Sequence, residues 1–136
     1  MDFNTVRSAI TENSIFRGLN QAQLGVLLMT AKGIEVPSEE QPYTRGDESD
    51  GTFTLIVSGK VNVIAENGQI LQELGAGEVL GEVGIISPQK KRTVTVRTTQ
   101  PTVALEWRFQ DIEKDVPELV KTLKELAWKR LSSWNE

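Results

Sequence analysis

Hydrophobic positions along the chain change period twice, from helical to alternating near Gly33 and back to helical after Trp107. Before Gly33, Val6, Ala9 and Ile10 predict a short helix, and Ile15–Leu19 reads as an apolar turn that anchors it. Asn20 followed by Gln23 has the form of a capping box, and Leu24, Leu27, Leu28 and Ala31 then mark one helical face, with Gly33 expected to stop it. From Gly33 to Trp107, short β-branched and aromatic runs alternate with Gly, Pro, Asn and Asp clusters, the mark of several short strands. Thr52–Val57 meets a turn at Ser58-Gly59, and Val61, Val63 and Ala65 lead into Asn67-Gly68, a strong hairpin signal before Ile70-Leu71. Arg92–Thr98 also alternates, with Val94 and Val96 on one face and Thr93, Thr95 and Arg97 on the other. After Asp115 and Pro117, a last helix carries Leu119, Leu123, Leu126, Ala127, Arg130 and Trp134 on one stripe. Many short antiparallel strands with glycine corners between helices imply a mainly β domain, a small barrel or jelly-roll-like sandwich with flanking helices.

At 136 residues the chain suits one domain with a core of its own. No apolar run reaches the roughly 20 residues that span a bilayer, and the first residues lack a signal peptide's basic and apolar regions, so a cytoplasmic protein with no membrane partner is expected. Cysteine and histidine are both absent, which removes the usual zinc, iron and copper ligands and all thiol or imidazole catalysis. That absence also disfavours a cupin-like isomerase on a similar β-roll, so no enzyme, metal or cofactor is expected. The net charge of −4 offers no basic face for a phosphate backbone, and no nucleic-acid partner is expected.

One window inverts that charge. Between Val79 and Thr99 the only acid is Glu82, set against Lys90, Lys91, Arg92 and Arg97, giving +3 within a chain of −4. Glu82 and Arg92 stand ten positions apart, on either side of a loop containing Pro88. Arginine forks onto phosphate oxygens and a carboxylate only accepts hydrogen bonds, so a sugar phosphate or nucleotide is the economical ligand. Gly81 and Gly84 permit close backbone approach, and a helical turn starting at Val83 would aim free N–H groups at an anion. Arg92 would supply the countercharge, Thr93 a hydroxyl, and Glu82 would accept from a sugar hydroxyl. The same residues also suit a plain structural role: a Glu82–Arg92 salt bridge across a β corner, with glycines turning the chain. Lys90 and Lys91 read as a solvated loop tip.

Together these residues resemble the phosphate-binding cassette of the cyclic nucleotide-binding domain, the domain of catabolite activator proteins and kinase regulatory subunits. The resemblance covers nearly the whole chain: Ile15–Leu19 with its Leu-rich helix, Arg45-Gly46-Asp47, Leu55–Val61 with Gly59, and the run Leu74–Glu82. It implies a double-stranded β-helix with N-terminal helices over 1–33, a β-roll over 34–107 holding the cassette at 80–94, and C-terminal hinge or lid helices over 109–136. It further implies that Glu82 accepts from the ribose 2′-hydroxyl, Arg92 pairs with the cyclic phosphate, and Gly81, Val83 and Gly84 lend backbone groups. Thr93 is compatible with cAMP and cGMP, with cAMP placed first. Leu80, Gly84 and Val94 depart from the family pattern, where Phe, Ala and Ala are frequent; Val94 adds bulk unless it faces the core.

The expected function is therefore a regulatory module that binds a cyclic nucleotide and signals through its C-terminal helix to an effector protein, itself unknown. Trp134 is the candidate lid, able to stack on a purine face. Trp128, with Val120 and Leu131, suggests a homodimer seam. The alternative is a family member without a ligand, serving as an interaction or dimerisation scaffold.

Overall fold

The computed structural model describes residues 2–49, 51–86 and 91–134. Its N-terminal part holds α1 (Phe3–Thr11), a 3₁₀ turn at Ser14–Phe16 and α2 (Gln21–Thr30). Asp2 caps α1 by accepting from Thr5 N–H. Asn20 and Gln23 form the reciprocal capping box of α2, as their spacing predicts. Gly33 does not end α2: the helix closes at Thr30, where Ala31 is already extended, and Gly33 lies inside strand β1 (Lys32–Val36).

Six further strands follow: β2 (Thr52–Ser58), β3 (Lys60–Ile64), β4 (Ile70–Gly75), β5 (Val79–Leu80), β6 (Thr95–Thr98) and β7 (Thr102–Arg108). They form two antiparallel sheets, one ordered β1-β7-β2-β5 and the other β4-β3-β6. Strands 2 and 3 turn at Gly59 with φ +104°, where a Cβ would lie 2.6 Å from Pro101 O, so only glycine fits. Strands 3 and 4 form the hairpin expected at Asn67-Gly68. The last strand of the three-stranded sheet is shorter than expected: it begins at Thr95, and Arg92–Val94 are irregular. Between β5 and β6 lies one helical turn, α3 (Val83–Ile86), and after β7 come α4 (Phe109–Ile112) and α5 (Pro117–Ser133).

Thr52–Ile56 of β2 are buried without interruption because this strand is a wall shared by two cores. Phe53 and Leu55 face the helices, where Ile10, Phe16, Leu27, Leu105, Trp107, Leu119 and Leu123 complete an apolar cluster. Phe53 stacks on Trp107 with ring centroids 5.5 Å apart, and Trp107 Nε1 donates to Leu27 O at 2.9 Å, joining β7 to the end of α2. Ile56 faces the inside of the roll, with Val61, Val63, Leu74, Leu80, Val83 and Val96. The C-terminal helix contributes to both cores. Leu119 and Leu123 enter the first, while Ala127 and Trp134 enter the second beside α3, so the predicted stripe of α5 is its buried face. Trp128 lies on the opposite face, 62% exposed.

Candidate functional site

Leu80 ends β5 inside the roll, and Gly81 then reverses the chain with φ +88°. A Cβ at Gly81 would stand 2.9 Å from both Arg92 Nη1 and Tyr43 Oη, so glycine is required twice, by conformation and by contact. The reversal delivers Glu82 and Val83 into the interior and starts α3. The other wall comes from the irregular stretch Arg92–Val94, held by a bond from Arg45 Nε to Thr93 O at 3.2 Å and by Arg92 N–H donating to Asp47 O at 2.8 Å. Gly81, Glu82, Val83, Gly84, Arg92, Thr93 and Trp134, all singled out in the sequence, line one cavity with Tyr43 and Val94. Lys90 lies outside the described residues.

That cavity is narrow. Its volume is about 20 Å³, room for about one water, whereas small-molecule pockets run to roughly 300–1,000 Å³. Side chains of the protein crowd its walls. Arg92, 7% exposed, lays its guanidinium over the Tyr43 ring at 4.0 Å, donates from Nη1 to Gly81 O at 3.1 Å and from Nη2 to Thr52 Oγ1 at 3.0 Å. Tyr43 is fixed in turn by its hydroxyl, 2.6 Å from Thr54 Oγ1, and burial raises its pKa above the usual 10.0. Val94 lines the cavity as well as Thr93. Val94 also packs against the roll's apolar cluster, so it serves core and cavity together, in the irregular stretch before regular strand starts at Thr95.

The carboxylate of Glu82, 1% exposed, is bonded to α5. Arg130 Nη1 donates to Glu82 Oε1 at 2.6 Å and also to Val79 O, and Arg130 Nη2 lies 3.6 Å from Glu78 Oε2. The corner salt bridge that Glu82 and Arg92 would suit is thus formed with Arg130 instead. Glu82 Oε2 is buried and has no hydrogen-bond partner among the described residues. Burial pushes the Glu82 carboxyl above its ordinary 4.5, against the opposing pull of Arg130 and, more weakly, of Arg92. A buried carboxylate with one orphaned oxygen is an expensive arrangement unless a donor arrives to complete it.

Trp134 closes the corner from the end of α5. It is 9% exposed, donates from Nε1 to Gln72 Oε1 of β4 at 3.0 Å, and its ring lies 5.1 Å from the Arg130 guanidinium. Arg130 and Tyr43 are the members of this constellation that sequence reasoning assigned no role. Arg130 was nonetheless marked by its place on an otherwise apolar stripe, since a cation on a buried helix face needs a buried acid. Tyr43 carries no such mark, because its contact with Arg92 crosses 49 residues of chain.

The sequence model of the cyclic nucleotide-binding domain family matches residues 34–114. The CRP-like protein Clp of Xanthomonas oryzae is 31% identical over 107 residues, an alignment covering 70% of this chain and 46% of Clp. An uncharacterized NTE family protein of Mycobacterium tuberculosis is 26% identical over 103 residues, covering 76% of this chain and 17% of that protein. The chain therefore spans less than half of the one relative and about a sixth of the other. Among solved structures, the regulatory subunit of a cAMP-independent protein kinase A from Trypanosoma cruzi, bound to guanosine, has the same fold. It superposes with a TM-score of 0.81 at 17% identity, over 95% of this chain and 50% of that one. The two-sheet roll, the glycine reversal into a helical turn and the match across residues 34–114 make this chain a member of the cyclic nucleotide-binding domain family.

Proposed function

We propose that this domain is a ligand sensor that binds a cyclic purine nucleotide, cAMP ahead of cGMP, and passes the event to an effector protein through α5. Glu82 accepts from the ribose 2′-hydroxyl, Arg92 neutralises the cyclic phosphate, Thr93 adds its hydroxyl, and the backbone around Gly81, Val83 and Gly84 approaches the ligand. The observation that supports this reading is Glu82 Oε2, a buried acceptor without a partner among the described residues, on a residue that lines one cavity with Arg92 and Trp134. A sugar hydroxyl supplies the donor that this oxygen lacks.

Binding requires the corner to open, since about 20 Å³ cannot hold a nucleotide. Arg92 has to exchange the Tyr43 face and the Thr52 and Gly81 oxygens for phosphate oxygens, and Trp134 has to leave Gln72 or tilt over the base. The last turn of α5 carries Arg130 and its C-cap is Trp134, so the opening of the site and the position of α5 are one event. The ligand's preference for one helix position is the signal. Domains of this family regulate and do not catalyse. Any catalytic or DNA-binding output belongs to a partner or to another part of a longer protein.

Thermal unfolding with cAMP, cGMP or guanosine, on wild type and Arg92→Ala, tests the reading. Guanosine is included because a protein of like fold is bound to it. Ligand at about 100 times its Kd adds roughly 2.7 kcal/mol to stability. The expected result is a shift with a cyclic nucleotide that Arg92→Ala abolishes, a loss of about 2–5 kcal/mol of binding. A shift with guanosine that survives Arg92→Ala assigns the site to a nucleoside. No shift with any of the three returns the domain to the scaffold reading, which the filled corner favours.

A further inference from the structure

Tyr43 is the only tyrosine of the chain, and it lines three neighbouring cavities. One is the narrow cassette cavity that it shares with Glu82 and Arg92. Another, of about 60 Å³, lies inside the roll among Ile34, Ile56, Val61 and Leu80. The third, of about 140 Å³, is polar and edged by the exposed Asp47 and Glu48, with Arg92 and Glu106 on its walls. Tyr43 is held by its backbone carbonyl, which accepts from Val96 N–H at 2.9 Å, by its hydroxyl, 2.6 Å from Thr54 Oγ1, and by the Arg92 guanidinium on its ring at 4.0 Å. Only the first contact involves the backbone. The ring can therefore turn about its Cα–Cβ bond between staggered positions while the bridge to β6 stays in place.

We propose that Tyr43 is the gate of the nucleotide site: its ring holds Arg92 back and walls off the cassette cavity, and it swings into the 140 Å³ pocket when a cyclic nucleotide binds. This rests on the reading of Arg92 as the phosphate-binding group. Two things have to happen before a nucleotide fits: Arg92 has to leave the ring, and a cavity of about 20 Å³ has to grow. Turning Tyr43 does both. It uncovers the guanidinium, and it removes the partition between the cassette cavity and the one inside the roll, to which Leu80 is also common. The phenol has a place to go. Glu106 of β7 stands opposite Thr54 of β2 in the sheet register, so the two side chains share a face, and Glu106 lines the 140 Å³ pocket. A hydroxyl that leaves Thr54 finds a carboxylate acceptor one strand away, which keeps the phenol hydrogen-bonded in both positions.

A gate and a pedestal that merely positions Arg92 differ in sign. Titration calorimetry with cAMP and cGMP is run on wild type, Tyr43→Leu and Thr54→Val, with thermal unfolding of each unliganded protein as the check on folding. Removing the ring raises the binding-competent fraction, so Tyr43→Leu tightens binding about tenfold if some nine-tenths of the wild type is held shut. Thr54→Val keeps the ring on Arg92 but releases its hydroxyl, and tightens binding by a smaller factor. Weaker or unchanged binding in either variant overturns the proposal, and a pedestal gives weaker binding in Tyr43→Leu. Fluorine NMR of wild type labelled with fluorotyrosine supplies a second readout, one resonance from the one tyrosine. That resonance moves on saturation with the nucleotide; a resonance unmoved at saturation overturns the gate and leaves the reading of Arg92 standing. Should Tyr43→Leu not fold, Thr54→Val and the fluorine resonance decide. Binding by Tyr43→Leu where wild type shows none supports the gate in its strongest form. Absence of binding in all three proteins overturns the reading of the site itself, and the gate with it.

Discussion

The two sides of β2 both face apolar clusters, but only the roll side adds a corner of buried charges. Toward the helices, Phe53, Leu55, Phe16 and Trp107 are packed among aliphatic side chains, and the polar atom of Trp107 is satisfied by a backbone carbonyl. Toward the cassette, Glu82, Arg92 and Arg130 are buried with exposures of 1%, 7% and 7%. Apolar packing of interdigitated shapes has one good arrangement and resists change. Buried charges keep their cost low only while paired, yet one partner can be exchanged for another of like chemistry. The helix-side core therefore suits a scaffold, and the cassette corner suits a switch.

The largest expected effect is on the scaffold side. Phe53→Ala removes the ring that stacks on Trp107 and should lower stability by about 3–5 kcal/mol in urea unfolding, by the same amount with and without cyclic nucleotide. A ligand-dependent loss there would mean that the two cores move together, and the contrast would break. Gly81→Ala comes next. Its φ of +88° costs a non-glycine residue roughly 1–2 kcal/mol, and the contacts of its Cβ with Arg92, Tyr43 and Thr52 O add about 1–3 kcal/mol of overpacking. Unlike Phe53→Ala, it should also impair nucleotide binding, since it crowds the arginine. Full stability in Gly81→Ala would show that Arg92 leaves its berth freely.

The smallest effect is a slope with pH. Burial raises the folded-state pKa of Glu82 above 4.5, so its ionised form opposes folding. The associated stability is fully present below the unfolded pKa and is lost as pH rises through the raised folded value. Wild type should therefore gain stability relative to Glu82→Gln as pH falls from 7 toward 4.5, by at most about 1.4 kcal/mol per pH unit. The opposite slope would mean that Arg130 outweighs desolvation and that the corner is a lock.

The scaffold was legible in the sequence because its signals are local. Asn20 with Gln23 marks the start of α2, Asn67-Gly68 marks the hairpin, and Gly81 and Gly84 mark the reversal into α3. Each works through bonds spanning a few residues. The cassette corner was only half legible. The residues lining it could be named, but the partner of Glu82 lies 48 residues away on α5, and Tyr43 reaches Arg92 across the roll. Pairings at such separations depend on how sheets and helices come together. Val94 packs against the roll's core as expected, yet it also borders the cavity, because it precedes the regular strand in which alternation would separate the two faces.

Strand β5 is two residues long and is gripped at both ends of its approach. The side chain of Asn13, in the N-terminal segment, donates to Gly77 O, and Arg130 donates to Val79 O. The first and last parts of the chain thus meet on a single stub of backbone that runs straight into Glu82. The two anchoring points stand two residues apart, so the N-terminal segment and α5 are joined through this stub without crossing the roll.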